Sequence, residues 1–187
     1  MFTNGYSHFV LKREYFDHES IKHGINHTYR VMYHVLNIGQ KAGMNQEIKT
    51  AFCAAFIHDM ARSHDSYCTE HGPRATQLKF PLFKNNFIGL GFNDDDLRAI
   101  KLAVSNHSIR YEIFKGHKFY KTVALLKDAD ALDRIRIGEN NLNTKYLRIP
   151  ESLQLIEFAR KLYYSTENVT LHCFEEILDI AKTIPNG

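Results

Sequence analysis

Residues 46–61 have the sequence QEIKTAFCAAFIHDMA, and this stretch decides the fold class. Its apolar residues recur at intervals of three and four, which is the spacing of an α-helix. The segment FCAAFI is apolar on nearly every side, so we predict a central helix that other helices enclose. Two ionisable residues, His58 and Asp59, follow directly at the end of this segment. The predicted helix therefore carries two polar side chains to the edge of the core.

Helical spacing recurs on both sides of this stretch. It predicts further helices at His18–Ala42, Pro73–Phe80, Asp94–Asn106, Phe119–Ile137, Ser152–Tyr164 and Val169–Thr183. The segment Phe80–Asn93 is rich in Asn, Gly and Phe, and it is predicted to be a loop over the core. We therefore expect an all-α, single-domain bundle of six to eight helices over residues 1–187. Its C-terminal helices, at 150–187, are expected to pack on a core of about residues 20–135.

The composition excludes several classes of protein. The 187 residues are 44% apolar, which is enough for one folded core. The net charge of +3 is too small for a protein that binds a nucleic-acid polymer over its surface. No apolar run approaches the ~20 residues of a membrane span, and the start, MFTNGYSHFVLKREYF, lacks the pattern of a signal peptide. Because the three cysteines are far apart and odd in number, we expect reduced thiols and a cytoplasmic protein.

His58 and Asp59 would be costly to bury unless something binds them. A divalent metal ion would do so, because imidazole and carboxylate are both ligands for Zn, Fe and Mn. The alternative is a helix cap without a metal, and the dipeptide alone favours that alternative. His64 and Asp65 form a second such dipeptide, but they lie in the polar stretch ARSHDSY, which is predicted to be a loop.

Two other segments place ionisable residues beside apolar helical faces. His27 in HGINHTYRV lies on a predicted helix and would face the core. In the alternative interpretation His27 is a satisfied core histidine, while His23 and His34 are exposed or capping. Asp130 in KDADALDRIR is flanked by two alanines, which leave room for a bulky centre. The alternative for Asp130 is a charged helix face that is neutralised by the neighbouring Lys and Arg.

Three segments in this order, HGINHTYRV, AAFIHDMAR and LLKDADALDR, resemble the HD-domain superfamily of metal-dependent phosphohydrolases. The resemblance covers roughly residues 20–135, and it implies a helical fold whose core holds one or two divalent ions. By position in the motif, it implies that the primary metal ligands are His27, His58, Asp59 and Asp130. These ligand types do not distinguish among Mn, Fe, Zn, Co, Ni and Mg.

Two further histidines bear on the number of ions. In members with two metals, one His opens the next helix and another closes the helix after it, while the Asp of the HD pair bridges the ions. His71 and His107 match these places, so the resemblance implies a second metal site and a catalytic role for Asp59. The alternative is a chance match in a chain with 11 His. No GYP tripeptide follows His107, which argues against the cyclic-di-nucleotide phosphodiesterases.

The resemblance implies that a metal-activated water attacks phosphorus. The predicted activity is hydrolysis of a nucleotide or another small phosphorylated molecule. Asp133, one turn past Asp130, is expected either to orient a ligand or water or to pair with Arg136. Many family members carry Lys or Gly-Lys after the HD pair, whereas Met-Ala-Arg stands here. The local cations that could neutralise phosphate are Arg62 and Lys127, which we favour, and Arg30 and Arg134.

Three alternatives stay open on the sequence. Some relatives with the same ligand set are di-iron oxygenases, and the ligands do not separate them from hydrolases. A second alternative is a non-catalytic module that binds a metal or a nucleotide. A third is a helical interaction domain whose aromatic tail, Phe158–Phe174, forms a homodimer face, although such spacing is more often found in a core.

Overall fold

The computed structural model describes residues 6–185, and within them the regular elements are helical, as predicted. The α-helices are α1 (Ile25–Lys41), α2 (Asn45–Ile57), α3 (His71–Arg74), α4 (Phe80–Gly89), α5 (Asp94–His107), α6 (Tyr120–Leu132), α7 (Pro150–Leu153), α8 (Ile156–Thr166) and α9 (Phe174–Thr183). A π-helical turn joins α3 to α4, and a 3-10 turn extends α6 over Asp133–Ile137. Further 3-10 turns lie at Ser7–Phe9, Arg13–Tyr15 and Thr144–Tyr146. The predicted domain limits, residues 1 and 187, lie outside the described residues.

Helix α2 is central, as its composition predicted. Every residue from Ala51 to Ile57 is buried. Helices α1, α5 and α6 all pack against it. A helical segment that is apolar on every side needs such an enclosure to remove its whole surface from water. The packing places the residues that follow α2, His58 and Asp59, in the middle of the bundle.

The C-terminal helices pack back onto this core, since α8 and α9 contact both α1 and each other. Phe158 and Phe174 are buried and belong to the contiguous hydrophobic core. The aromatic tail is therefore mainly core, although Tyr164 remains half exposed. A homodimer stays a prediction. Among residues 6–185, no helix combines the length and the apolar character that crossing a membrane requires.

The predicted loop at Phe80–Asn93 is wrong. Residues Phe80–Gly89 form α4, whose buried side chains are Phe80, Phe83 and Phe87. Their spacing of three and four is helical, and Pro81 stands in the first turn, where its missing N–H is not needed. The predicted loop rested on the Asn and Gly residues of the segment, whereas the helical spacing of its phenylalanines indicates the observed helix.

The first long helix is also shorter than predicted. It begins at Ile25, seven residues after the predicted start at His18, and residues 18–24 are irregular. A Cβ atom at Gly24 would lie 2.3 Å from the backbone oxygen of Ser20, so glycine is needed for this tight entry. The irregular segment turns the chain into α1 and places His23 just before it.

Candidate metal centre

Four of the predicted ligand residues meet where α1, α2 and α6 converge. Nε2 of His27 lies 3.2 Å from Nε2 of His58. It also lies 3.4 Å from a carboxylate oxygen of Asp59 and 3.4 Å from one of Asp130. His27, His58 and Asp59 are buried, and the Asp130 side chain is 24% exposed. The fold thus brings together residues that are far apart in the chain.

Hydrogen bonds on the outer side of the rings direct the ring lone pairs inward. Nδ1 of His58 donates to a backbone carbonyl of α2 at 2.7 Å, and Nδ1 of His27 donates to Asp133 Oδ2 at 2.7 Å. A neutral imidazole that is protonated on Nδ1 carries its lone pair on Nε2. Burial lowers the pKa of His58 to about 3, so this ring is neutral at pH 7. The Nε2 atoms of His27 and His58 therefore face each other.

A divalent cation fits this arrangement. Lone pairs and carboxylate oxygens at such short distances repel one another unless a positive charge lies between them. Imidazole and carboxylate are the donors that borderline divalent ions take. Within residues 6–185, three groups of side chains have donor atoms within 4.8 Å of one another: His23, His27 and Asp59; His27, His58 and Asp130; and His58, Asp59 and His107.

The second carboxylate oxygen of Asp59 faces another pair of imidazoles. Oδ1 lies 3.0 Å from His71 Nε2 and 3.5 Å from His107 Nε2, and these two nitrogens are 2.9 Å apart. Nδ1 of His107 donates to a backbone carbonyl of α5 at 2.7 Å, so its Nε2 faces Asp59. Burial lowers the pKa of His71, which favours its neutral form.

Asp59 contacts both pairs of imidazoles, His27 with His58 and His71 with His107. Burial alone would raise its pKa, but the surrounding imidazoles together hold the pKa of Asp59 well below its usual range. The carboxylate is therefore ionised, with Oδ2 toward His27 and His58 and Oδ1 toward His71 and His107. One carboxylate thus connects two sets of nitrogen donors, which is the arrangement predicted for a bridging ligand.

The family model for the HD domain matches residues 24–135, more than half of the chain. The chain belongs to the HD-domain family. Members of this family are generally metal-dependent phosphohydrolases. No curated protein and no solved structure matches the chain significantly. The family and the grouped His and Asp side chains together support a divalent metal as the cofactor of this HD domain.

Asp133 lies behind the candidate metal centre of this HD domain, and its predicted role in orienting a ligand stays a prediction. Its carboxylate accepts hydrogen bonds from His27 and from Arg30, whose Nε and Nη2 lie 2.6 Å and 3.0 Å away. Burial would raise the pKa of Asp133, but the Arg30 guanidinium holds this pKa well below its usual range. Arg30 also donates to Thr166 and is buried. Arg30 thus holds Asp133 in place, contrary to the expectation that it contacts substrate phosphate.

Lys127 also differs from its predicted role. Its ammonium donates to the carbonyl oxygens of Ile109 and Tyr111, at 3.0 Å and 3.2 Å, and to Glu112 at 3.0 Å. An ammonium group has three donors, so all of them are in use. Lys127 thus anchors the segment 109–112 to α6. The structure does not support the predicted contact of Lys127 with substrate phosphate.

Arg62 remains beside the centre. Its Nε lies 3.2 Å from Asp59 Oδ1, and its Nη1 donates to the backbone oxygens of His64 and Ser66 at 3.3 Å. The side chain is 12% exposed. Its predicted role toward phosphate stays a prediction.

Two contacts to the centre were not predicted. Nδ1 of His23 lies 2.9 Å from Asp59 Oδ2, and Nη2 of Arg136 lies 3.4 Å from Asp130 Oδ1. His23 and His34 are both buried, so the interpretation that made them exposed or capping is wrong. The one signal in the sequence was that His23 precedes His27 by four residues, which places both on one helical face. His23, however, lies before α1.

A cavity of about 450 Å³ opens beside the centre. Two of the predicted ligands, His107 and Asp130, form part of its wall. Its basic side chains are Arg110, Lys127, Arg134 and Arg148. Tyr67 and Tyr146, which are 84% and 59% exposed, add aromatic rings. The cavity has the size of a small-molecule site and connects to both groups of ligands.

Proposed function

We propose that this HD domain hydrolyses a nucleotide or another small phosphorylated molecule with the help of two divalent ions. The observation that carries the proposal is the orientation of Asp59, whose two oxygens face two separate pairs of buried imidazoles. A single structural ion would need only one such group. His27, His58, Asp59 and Asp130 would hold one ion, and His71, His107 and Asp59 the other.

Bound divalent ions supply a water of lowered pKa and offset the negative charge of a phosphate group. The chain itself fixes the ligands for this chemistry. Asp133 accepts the Nδ1 proton of His27, and two backbone carbonyls accept those of His58 and His107. Each ring is thus held in the tautomer that binds a metal through Nε2. Asp59 is the catalytic carboxylate, because it connects both sites.

The cavity supports a phosphorylated substrate. Its wall includes one ligand of each proposed ion, so a molecule in the cavity would lie against the reacting centre. Two of its basic side chains, Arg110 and Arg134, have no acidic partner among residues 6–185 and suit an anionic substrate. The exposed rings of Tyr67 and Tyr146 offer flat apolar surfaces to a planar group such as a nucleobase.

Elemental analysis of the purified protein, followed by a phosphate-release screen, tests the proposal. The screen covers nucleotides and sugar phosphates with Mn, Co, Zn or Fe supplied, and oxygen consumption is recorded in parallel. We expect up to two ions per chain and phosphate release that depends on them. Hydrolysis by fully metal-free protein would contradict the proposal. Oxygen consumption without phosphate release would favour the oxygenase alternative instead.

A further inference from the structure

The four basic side chains of the cavity wall fall into two pairs. Lys127 and Arg148 are both bound to Glu112, and Arg148 does so through Nε at 3.0 Å and Nη2 at 2.6 Å. Arg148 Nη1 also donates to the buried carboxylate of Asp128 at 3.0 Å. These two cations are neutralised by the protein itself, so they form a fixed wall.

Arg110 and Arg134 form the other pair. Within residues 6–185, neither has an acidic partner. Arg134 uses its Nε to donate to the backbone oxygen of Asn141 at 3.0 Å, which leaves both of its Nη groups for another acceptor. Arg110 is exposed. A guanidinium without a counter-charge in a cavity attracts an anion, and its fork geometry suits phosphate oxygens.

The positions of the two arginines relate them to the metal centre. Arg110 follows His107 by three residues, and Arg134 follows Asp130 by four. All four side chains line the same cavity. His107 and Asp130 belong to the two different sets of metal ligands around Asp59. The free guanidinium groups therefore line the same cavity as one ligand of each proposed ion.

We propose that Arg110 and Arg134 bind a second anionic group of the substrate, beyond the phosphoryl group that is hydrolysed. The substrate is then a small molecule with two linked phosphates. This inference rests on the proposed function, since the metal centre defines which phosphate reacts. It assigns the phosphate-binding role to Arg110 and Arg134 instead of to Lys127 and Arg30.

Titration calorimetry on the metal-loaded protein tests this with two probes, methylenediphosphonate and methylphosphonate, which differ by one anionic group and are not hydrolysed. We expect the diphosphonate to bind the wild type at least about tenfold more tightly. Arg110→Gln and Arg134→Gln should each weaken diphosphonate binding about tenfold and methylphosphonate binding less than about twofold, because each removes one charge-assisted contact. Metal content should stay the same.

Arg98→Gln is the matched control, because Arg98 is 67% exposed, pairs with Asp95 and lies outside this cavity. It should change neither affinity. Equal losses for both probes, or no loss, would overturn the inference while leaving the proposed function intact. A metal-loaded wild type that binds neither probe would overturn the proposed function as well. If Arg134→Gln lowers the melting temperature strongly, the exposed Arg110→Gln decides alone.

Discussion

Two His-Asp dipeptides lie close together in the chain, and their surroundings differ completely. His58 and Asp59 follow the apolar helix α2, are buried, and meet the imidazoles of α1, α3 and α5. His64 and Asp65 lie in an exposed loop, where His64 binds the Ser66 hydroxyl at 2.9 Å. The dipeptide by itself therefore has no fixed role. His58 and Asp59 lie among other ligands because they follow the apolar helix α2, which is buried in the core.

The largest expected effect separates the two dipeptides directly. His58→Ala and Asp59→Ala should each lower metal content and reduce hydrolysis by more than about 100-fold, because even changes behind the ligands cost about 10–100-fold. Elemental analysis and a phosphate-release assay measure both quantities. His64→Ala and Asp65→Ala are the matched controls, and they should leave both within about twofold. An essential second dipeptide with a dispensable first one would place the centre elsewhere.

The next prediction concerns the two sides of Asp59. The double variant His71→Ala/His107→Ala should lower the metal content from two ions to one, because Asp59 keeps its contacts with His27 and His58. Elemental analysis gives the stoichiometry. His117→Ala is the control, since His117 is an exposed histidine outside both groups. A stoichiometry that stays unchanged would show that His71 and His107 do not bind a metal.

The contrast also explains what could be predicted from the sequence. The buried helix and the motif order rest on short segments, so spacing along the chain was enough to predict them. Helix α4 was missed because Asn and Gly between its phenylalanines are typical of loops. His23 was missed because its contact with Asp59 depends on the irregular turn before α1. The role of Lys127 depends on where the loop with Glu112 folds back, which helical spacing does not reveal.

The next prediction has a smaller expected effect, and it compares a buried histidine with an exposed one. Burial lowers the pKa of His34 to about 4, and both of its ring nitrogens lack hydrogen-bond partners in the described part of the chain. The unfolded chain takes up this proton near pH 6.5, whereas the folded chain does so only near pH 4. His34 therefore lowers the free energy of unfolding as the pH falls from about 6.5 to 4, by an amount on the order of 3 kcal/mol.

His34→Leu should remove this pH-dependent loss of unfolding free energy, and it should shift the midpoint of acid unfolding to lower pH. Denaturant unfolding at pH 7 and pH 5 measures the difference. His64→Leu is the control, because His64 is exposed, and this variant should leave the midpoint of acid unfolding unchanged. An unchanged midpoint in His34→Leu would mean that other buried groups dominate the acid transition.

The smallest expected effect tests whether the second dipeptide is independent of the first. Asp65 accepts a hydrogen bond from the Ser20 hydroxyl, whose oxygen in turn accepts the backbone N–H of His23 at 2.8 Å. His23 contacts Asp59, so the exposed loop is linked to the centre by one short chain of contacts. Partial burial would raise the pKa of Asp65, but the Ser20 hydroxyl and His18 hold this pKa below its usual range.

A carboxyl group with a lowered pKa stabilises the folded state above its unfolded pKa, and this contribution is lost as the pH falls through the folded value. Asp65→Asn should therefore lower the free energy of unfolding by less than about 1 kcal/mol at pH 7, as for other exposed ion pairs, and by a smaller amount near pH 3. Urea unfolding at the two pH values measures this. Lys182→Gln, which breaks the exposed pair with Asp179, is the matched control. A metal content lowered by Asp65→Asn but not by Lys182→Gln would mean that Ser20 and His23 hold Asp59 in position, and that the loop belongs to the centre after all.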